Sequence, residues 1–251
     1  MSNKIFQKYA KYYDLVYQEK NYLDETRYIH SLLKKFKSKN KILEIGCGTG
    51  IHANNLAKLN YDILGIDLSA EMISIAKKKY LKKKNIKFLK KNILDINYIE
   101  KFDTAISLFH VICYLTSKSK IKTAFKNINE SLKSNGLFIF DFWYAPAVKK
   151  NKLTSKIKKF TSKTSKITRK VTPAIYSNNR VKINIEISIS NKNNKLKENF
   201  SEDHYVKYFD YKELKHSLNM SGFKIIKCYE WLKEDKPTQN SWSALIVAKK
   251  V

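Results

Sequence analysis

The chain has 251 residues, with 50 lysines and arginines against 22 acidic residues, a formal charge of +28, and 43% apolar residues. That length buries a substantial core within one large domain, and no run of 18 or more apolar residues exists to form a membrane-spanning helix. Cys47, Cys113 and Cys228 are too few and too scattered for a disulfide framework or a metal site, and the first residues lack the apolar core of a secretory signal, so the cytoplasm is the expected location.

The charge is almost entirely lysine. Arginine occurs only as Arg27, Arg169 and Arg180, whereas recognition of phosphates and bases in nucleic acid favours the planar guanidinium. Lysines spread along segments such as 77–84, in a chain rich in asparagine and isoleucine, read as solvated helix faces and argue against a nucleic-acid groove. The same field would still attract a small anion.

In chain order, residues 1–40 are predicted helical, with aromatic side chains crowded between Phe6 and Tyr17. A buried strand, Ile42 to Ile45, then breaks into Gly46, Gly48 and Gly50, which let the backbone turn sharply and approach a ligand. The helix expected after Gly50 directs its unpaired N–H groups at that ligand. A second strand ends at Asp67, 21 residues beyond Gly46, near the offset at which a carboxylate meets ribose hydroxyls. Ser69 caps the next helix, which turns Ile73 and Ala76 inward. Strands follow at Ile86–Leu89, ending near Asn92, and at Phe102–Phe109, and a helix ending at Asn135-Gly136 leads into a strand at Leu137–Phe142. Alternation of strands and helices over 41–142 predicts a parallel sheet covered on both faces, with ligands beyond the C-terminal strand ends.

Residues 143–210 break the alternation. Val181 to Ile189 alternates strictly between apolar and polar, Asn191 to Asn194 reads as a turn, and Asn199 to Tyr208 looks extended again, which predicts an antiparallel hairpin insertion with one apolar face. It would cover the strand ends or form a dimer surface. Residues 211–251 supply a helix at Tyr211–Leu218 and two strands, Ile225–Trp231 and Ser243–Ala248.

A dinucleotide site requires Gly-x-Gly-x-x-Gly, whereas this loop reads Gly-x-Gly-x-Gly with Glu44 before it, a carboxylate that would repel a pyrophosphate and suit a cation. Glu44-Ile45-Gly46-Cys47-Gly48-Thr49-Gly50 with Gly65-Ile66-Asp67-Leu68-Ser69 closely resembles the first two motifs of the Rossmann-like S-adenosylmethionine-dependent methyltransferases. The resemblance implies an α/β fold with a seven-stranded, mostly parallel sheet and helices on both faces, plus the antiparallel insertion. It implies S-adenosylmethionine as cofactor and S-adenosylhomocysteine as product, held by Glu44, Gly46, Cys47, Gly48, Gly50, Asp67, Leu68, Asn92, Ile93 and Leu108. Asn92 stands where most of the family has Asp against the adenine amino group. Residues 1–40 become a lid, with Tyr13 and Tyr17 against the sulfonium, since an aromatic face attracts a cation.

The segment Tyr12-Tyr13-Asp14-Leu15-Val16-Tyr17, the stretch Leu108–Leu115, the run Asp141–Pro146 and the insertion together resemble small-molecule methyltransferases of nucleotide-linked deoxyamino sugars, and methyltransferases found with capsule and lipopolysaccharide genes. The implied acceptor is small and anionic or sugar-like, and a homodimer is compatible with the insertion. His110 and His204 are the candidate bases, each with a purely structural alternative, and Tyr114, Trp143 and Tyr144 are candidate walls of the acceptor pocket. Methylation of a small phosphoryl-type capsule modification is the alternative reading. Against an RNA methyltransferase, the segment after the fourth strand lacks both Asn/Asp-Pro-Pro-Tyr and Pro-Cys.

Overall fold

The computed structural model describes residues 5–161, 165–176, 178–191, 193 and 195–251. A 3-10 turn at Lys8–Tyr12 leads into α1 (Tyr13–Val16) and α2 (Tyr22–Lys35). The core then alternates β1 (Lys41–Ile45), α3 (Ile51–Ala57), β2 (Asp62–Asp67), α4 (Ala70–Lys79), β3 (Ile86–Lys90), β4 (Phe102–Ser107), α5 (Lys118–Ser131) and β5 (Leu132–Trp143). After α6 (Ala145–Lys150) come β6 (Lys156–Thr161), β7 (Ser165–Ile175), β8 (Arg180–Asn191) and β9 (Leu196–Lys207), and the chain ends with α7 (Tyr211–Asn219), β10 (Phe223–Glu230) and β11 (Ser243–Lys250).

Seven strands form one sheet in the order β3-β2-β1-β4-β5-β11-β10, parallel from β3 to β5 and antiparallel at β11 and β10. The order reverses between β1 and β4, so the crevice between their C-terminal ends is the natural ligand site. Strands covered on both faces read as continuous apolar runs, and all six residues of β4 are buried. One face packs Leu43, Ala105, Phe138 and Phe140 under Phe125 and Ile128 of α5, and the other packs Ile42, Ile106 and Ile139 under Ile29 and Leu32 of α2 and Leu56 of α3. Each such buried Leu, Ile or Phe contributes roughly 1.5–3 kcal/mol. The helices begin where the sequence supplies caps: the side chains of Asn21, Ser69 and Ser117 accept the N–H of Asp24, Met72 and Lys120.

Three expectations need revision. The N-terminal aromatic segment is a 3-10 turn and one short helical turn, because its rings insert into a separate cluster with Phe160, Ile167, Ile185, Ile187 and Ile189 of the insertion. The helix expected to end at Asn135-Gly136 stops at Ser131, where Leu132 turns extended and pairs with Phe102. The insertion is a four-stranded antiparallel sheet ordered β6-β7-β8-β9, and β6 and β7 were not foreseen. They carry charges on both faces, Lys156, Lys158 and Arg169 on one and Lys159, Lys166 and Lys170 on the other, and so show no clean apolar alternation. Of the turn expected at 191–194, Lys192 and Asn194 lie outside the described residues; the Asn191 N–H donates to the Lys195 carbonyl (3.0 Å), closing the hairpin.

Candidate active site

The glycine loop folds over the end of β2: the N–H groups of Gly46 and Cys47 both donate to the Ile66 carbonyl, at 2.8 and 3.0 Å. Gly46 holds φ at +71°, and a Cβ there would collide with the Val111 side chain, so both conformation and space require glycine. A Cβ on Gly48 would meet nothing, which makes Gly48 the open face of the loop. Asp67 locks the arrangement: Oδ2 accepts the Gly48 N–H (2.9 Å) and Oδ1 the Ser69 N–H (2.8 Å). Burial raises its pKa, and each oxygen keeps a further lone pair for a ligand hydroxyl.

Two cavities, of about 720 and 540 Å³, adjoin across Phe6, Gly46, Asp67, Val111 and Tyr114. The larger gathers Tyr13, Tyr17, Cys47, Gly48 and Leu108 with His110, Tyr114, Trp143 and His204. The smaller gathers Leu68, Asn92 and Ile93, and the Asn92 side chain accepts the Leu94 N–H (3.1 Å).

Three candidates reach neither cavity. Glu44, 2% exposed, lies behind the loop 3.9 Å from His52, and burial, reinforced by Asp67, pushes its carboxyl up to about 8. It is a neutral acid at pH 7, so the expected repulsion of a pyrophosphate by an exposed carboxylate does not arise. Gly50 caps α3 in a left-handed conformation (φ +80°), and a Cβ there would press on Phe88 and Tyr80, so both backbone and packing require glycine. Tyr144 turns away from Trp143 and meets Phe142 edge-on, because successive side chains at a strand end point to opposite faces.

His110 occupies a left-handed turn, φ +63°, after β4. Its N–H donates to Asp141 Oδ1 (2.9 Å), and its Nε2 lies 2.7 Å from Ser243 Oγ and 3.3 Å from Asp141 Oδ2. A carboxylate beside Nε2 keeps the proton there and leaves the Nδ1 lone pair unprotonated. Burial lowers the His110 pKa, against the opposing pull of Asp141. The signal for Asp141 in the sequence was a lone carboxylate within the apolar run Leu137–Phe142.

His204, 1% exposed, receives or donates a bond at Nδ1 with Tyr114 Oη (2.8 Å), and its Nε2 lies 3.5 Å from Glu202 Oε2. Glu202 also accepts the N–H groups of Phe6 (2.7 Å), Gln7 (3.2 Å) and Tyr9 (3.4 Å), so one carboxylate of β9 holds the start of the N-terminal segment over the cavities. Tyr13 and Tyr17 lie against each other with centroids 4.6 Å apart and ring planes tilted by 48°. Burial pushes the Tyr13 and Tyr114 phenols up, so both stay uncharged, and it does the same to the Cys47 thiol, which removes a thiolate role. Under the loop, Glu25 joins Lys20 to His52 Nε2 (2.7 Å), a network the sequence did not announce. Among the described residues no cluster of His, Cys, Asp or Glu is arranged for a metal.

Losing Glu202 would leave three backbone donors without their acceptor. Glu202→Ala is expected to weaken S-adenosylhomocysteine binding about tenfold through faster release, by about 1–2 kcal/mol; stopped-flow dissociation at the wild-type rate would show that this anchor does not retain the ligand.

Residues 42–136 match the family model described as a methyltransferase domain. That matched stretch, 95 of the 251 residues, corresponds to a methyltransferase domain. A Geobacillus protein provisionally named a methyltransferase is 31% identical over 139 residues, covering 54% of this chain and 56% of its own length, so this chain spans a little over half of that relative. The dTDP-3-amino-3,4,6-trideoxy-alpha-D-glucopyranose N,N-dimethyltransferase of Streptomyces venezuelae is 21% identical over 220 residues, with 86% of this chain and 90% of that protein covered. The crystal structure of an S-adenosylmethionine-dependent methyltransferase from Clostridium acetobutylicum superposes with a TM-score of 0.81 at 19% identity over 97% of this chain and 98% of its own, so the fold extends beyond the methyltransferase domain into the insertion and C-terminal strands. The cleft of the domain fits S-adenosylmethionine: open backbone at Gly48, carboxylate lone pairs at Asp67, an amide at Asn92 and the rings of Tyr13 and Tyr17 at the far end.

Proposed function

We propose that the protein transfers a methyl group from S-adenosylmethionine to a nitrogen or oxygen of a small polar acceptor, a sugar or related precursor of surface polysaccharide. The carrying observation is the pair of adjoining cavities, one closed by Asp67 and Asn92 and the other by His110, meeting at Gly46 and Asp67. The Streptomyces relative, named for an aminodeoxy sugar, and the aromatic walls Tyr114 and Trp143 support the sugar class.

Bound S-adenosylmethionine supplies a methyl carbon activated by positively charged sulfur. The protein aligns the acceptor and excludes water. Asp67 takes the ribose hydroxyls, and Asn92, Leu68 and Ile93 border the base. Gly46, Cys47, Gly48 and Leu108 line the methionine portion, with Tyr13 and Tyr17 offering ring faces to the sulfonium. His110 Nδ1 takes the proton that the acceptor loses. His204 acts through Tyr114, because its own ring is enclosed.

Calorimetric titration with S-adenosylhomocysteine, followed by a methyl-uptake screen over aminodeoxy sugars and capsule precursors, tests this reading. Low-micromolar binding and uptake into one acceptor class are expected; a folded protein that binds no S-adenosylhomocysteine would refute it.

A further inference from the structure

The parallel strands of the seven-stranded sheet all begin at one end, opposite the cavities, and the loops entering them carry the most exposed large apolar side chains among the described residues. Leu81 (83% exposed) stands in the loop before β3 and Ile99 (83%) in the loop before β4. Met220 (68%) precedes β10, whose Phe223 pairs with Lys250 at this same end of the sheet. Val251 (79%) follows β11 there, its N–H donating to the Gly222 carbonyl (3.1 Å).

Each apolar tip has lysine beside it. Lys82, Lys83 and Lys84 follow Leu81 on a loop rather than on a helix face, Lys101 follows Ile99, Lys224 lies just beyond Met220, and Lys249 precedes Val251. None of these six makes an ion pair among the described residues. The carboxylates of this end are mostly neutralised: Glu100 pairs with Lys250 (3.5 Å), Asp103 with Lys133 (2.7 Å) and Glu130 with Lys126 (3.6 Å), which leaves Asp62 at the start of β2. A positive surface of this kind repels a second copy of itself and attracts an extended negative one.

We propose that this end of the sheet docks on an anionic lipid surface, with Leu81, Ile99 and Met220 entering the headgroup boundary and the neighbouring ammonium groups meeting lipid phosphates. Apolar side chains set singly on separate loops suit a fluid interface, which needs no matching groove, whereas a protein partner needs a contiguous apolar patch. Flexible lysine stems reach phosphates from beside a buried apolar tip. Reading of nucleic acid favours the planar guanidinium, and these loops carry no arginine. The cavities lie at the opposite ends of the strands, so a docked molecule keeps its cleft clear of the lipid and open to a dissolved acceptor. The docking surface stands independently of the methyl-transfer reading.

Sedimentation of the full chain with vesicles of phosphatidylcholine, alone or mixed with phosphatidylglycerol, tests the surface. Binding to the mixed vesicles that weakens as salt is raised is expected, with little binding to phosphatidylcholine alone. The variants Leu81→Ser/Ile99→Ser/Met220→Ser and Lys82→Gln/Lys83→Gln/Lys84→Gln/Lys101→Gln are each expected to weaken it by about tenfold or more. Both alter exposed side chains, so S-adenosylhomocysteine affinity should stay at the wild-type value. A control that removes four exposed lysines elsewhere, Lys118→Gln/Lys122→Gln/Lys158→Gln/Lys159→Gln, should keep vesicle affinity within about twofold. Absence of binding to the mixed vesicles, an equal loss in the control, or undiminished binding in the serine variant would overturn the proposal. Tighter binding to polyuridylate through the same four lysines, at equal phosphate concentration, would overturn it in favour of nucleic acid.

Discussion

His110→Ala is expected to lower the turnover number by about 10²–10⁴-fold, the range for a positioned general base, while S-adenosylhomocysteine affinity stays near the wild-type value. The expectation follows from the position of the imidazole: its backbone N–H is tied to Asp141 Oδ1, and its Nε2 faces Asp141 Oδ2 and Ser243. Both anchors act on the same side of the ring, which leaves Nδ1 as the basic atom. Asp141→Asn keeps the shape of that anchor but allows the amide to donate toward Nε2, forcing the proton onto Nδ1, and should approach the loss seen with alanine. The base form is the active one. Since burial lowers the His110 pKa, the rate should fall only on the acid side of the ordinary histidine range and be level through neutral pH. A steady-state pH profile tests this, and a rate unchanged in His110→Ala would reduce the residue to a structural contact.

Asp67→Ala should weaken S-adenosylhomocysteine by about 10²-fold, since the proposed charge-assisted contact to the ribose, worth about 1.5–3 kcal/mol, is lost. The bonds to Gly48 and Ser69 shape the loop itself, so the variant loses preorganisation before any ligand arrives. Asp67→Asn is expected to recover little, because an amide has one acceptor oxygen for two backbone donors. Equilibrium titration decides the matter, and wild-type affinity in either variant would remove Asp67 from the binding machinery.

The local parts of this site were legible in the sequence and the non-local parts were not. The turn at Gly46 and the strand-end carboxylate at Asp67 are short-range patterns, and backbone hydrogen bonds between the two neighbouring strands place them together. Glu44, Gly50 and Tyr144 sit in the same stretches, yet the Glu44 and Tyr144 side chains point away and Gly50 is backed by Phe88 and Tyr80. Which face a residue takes at a strand end or helix start depends on what packs behind it, such as Phe88 behind Gly50. Asp141, Glu202 and Arg169 meet their partners 31, 196 and 152 residues away in the chain, and no window of sequence contains both members. β7 was missed for a related reason: its inward face carries Arg169, so the period-two signal that marked β8 is absent.

The N-terminal segment, held by Glu202, also sets an order of events. The amides of Phe6, Gln7 and Tyr9 find their acceptor only after nearly two hundred further residues have been joined and β9 has paired with β8. Contacts of such separation form late and at high entropic cost, and they are among the first to open. The N-terminal segment is therefore secured only once β9 is in place, and the cleft stays accessible until then.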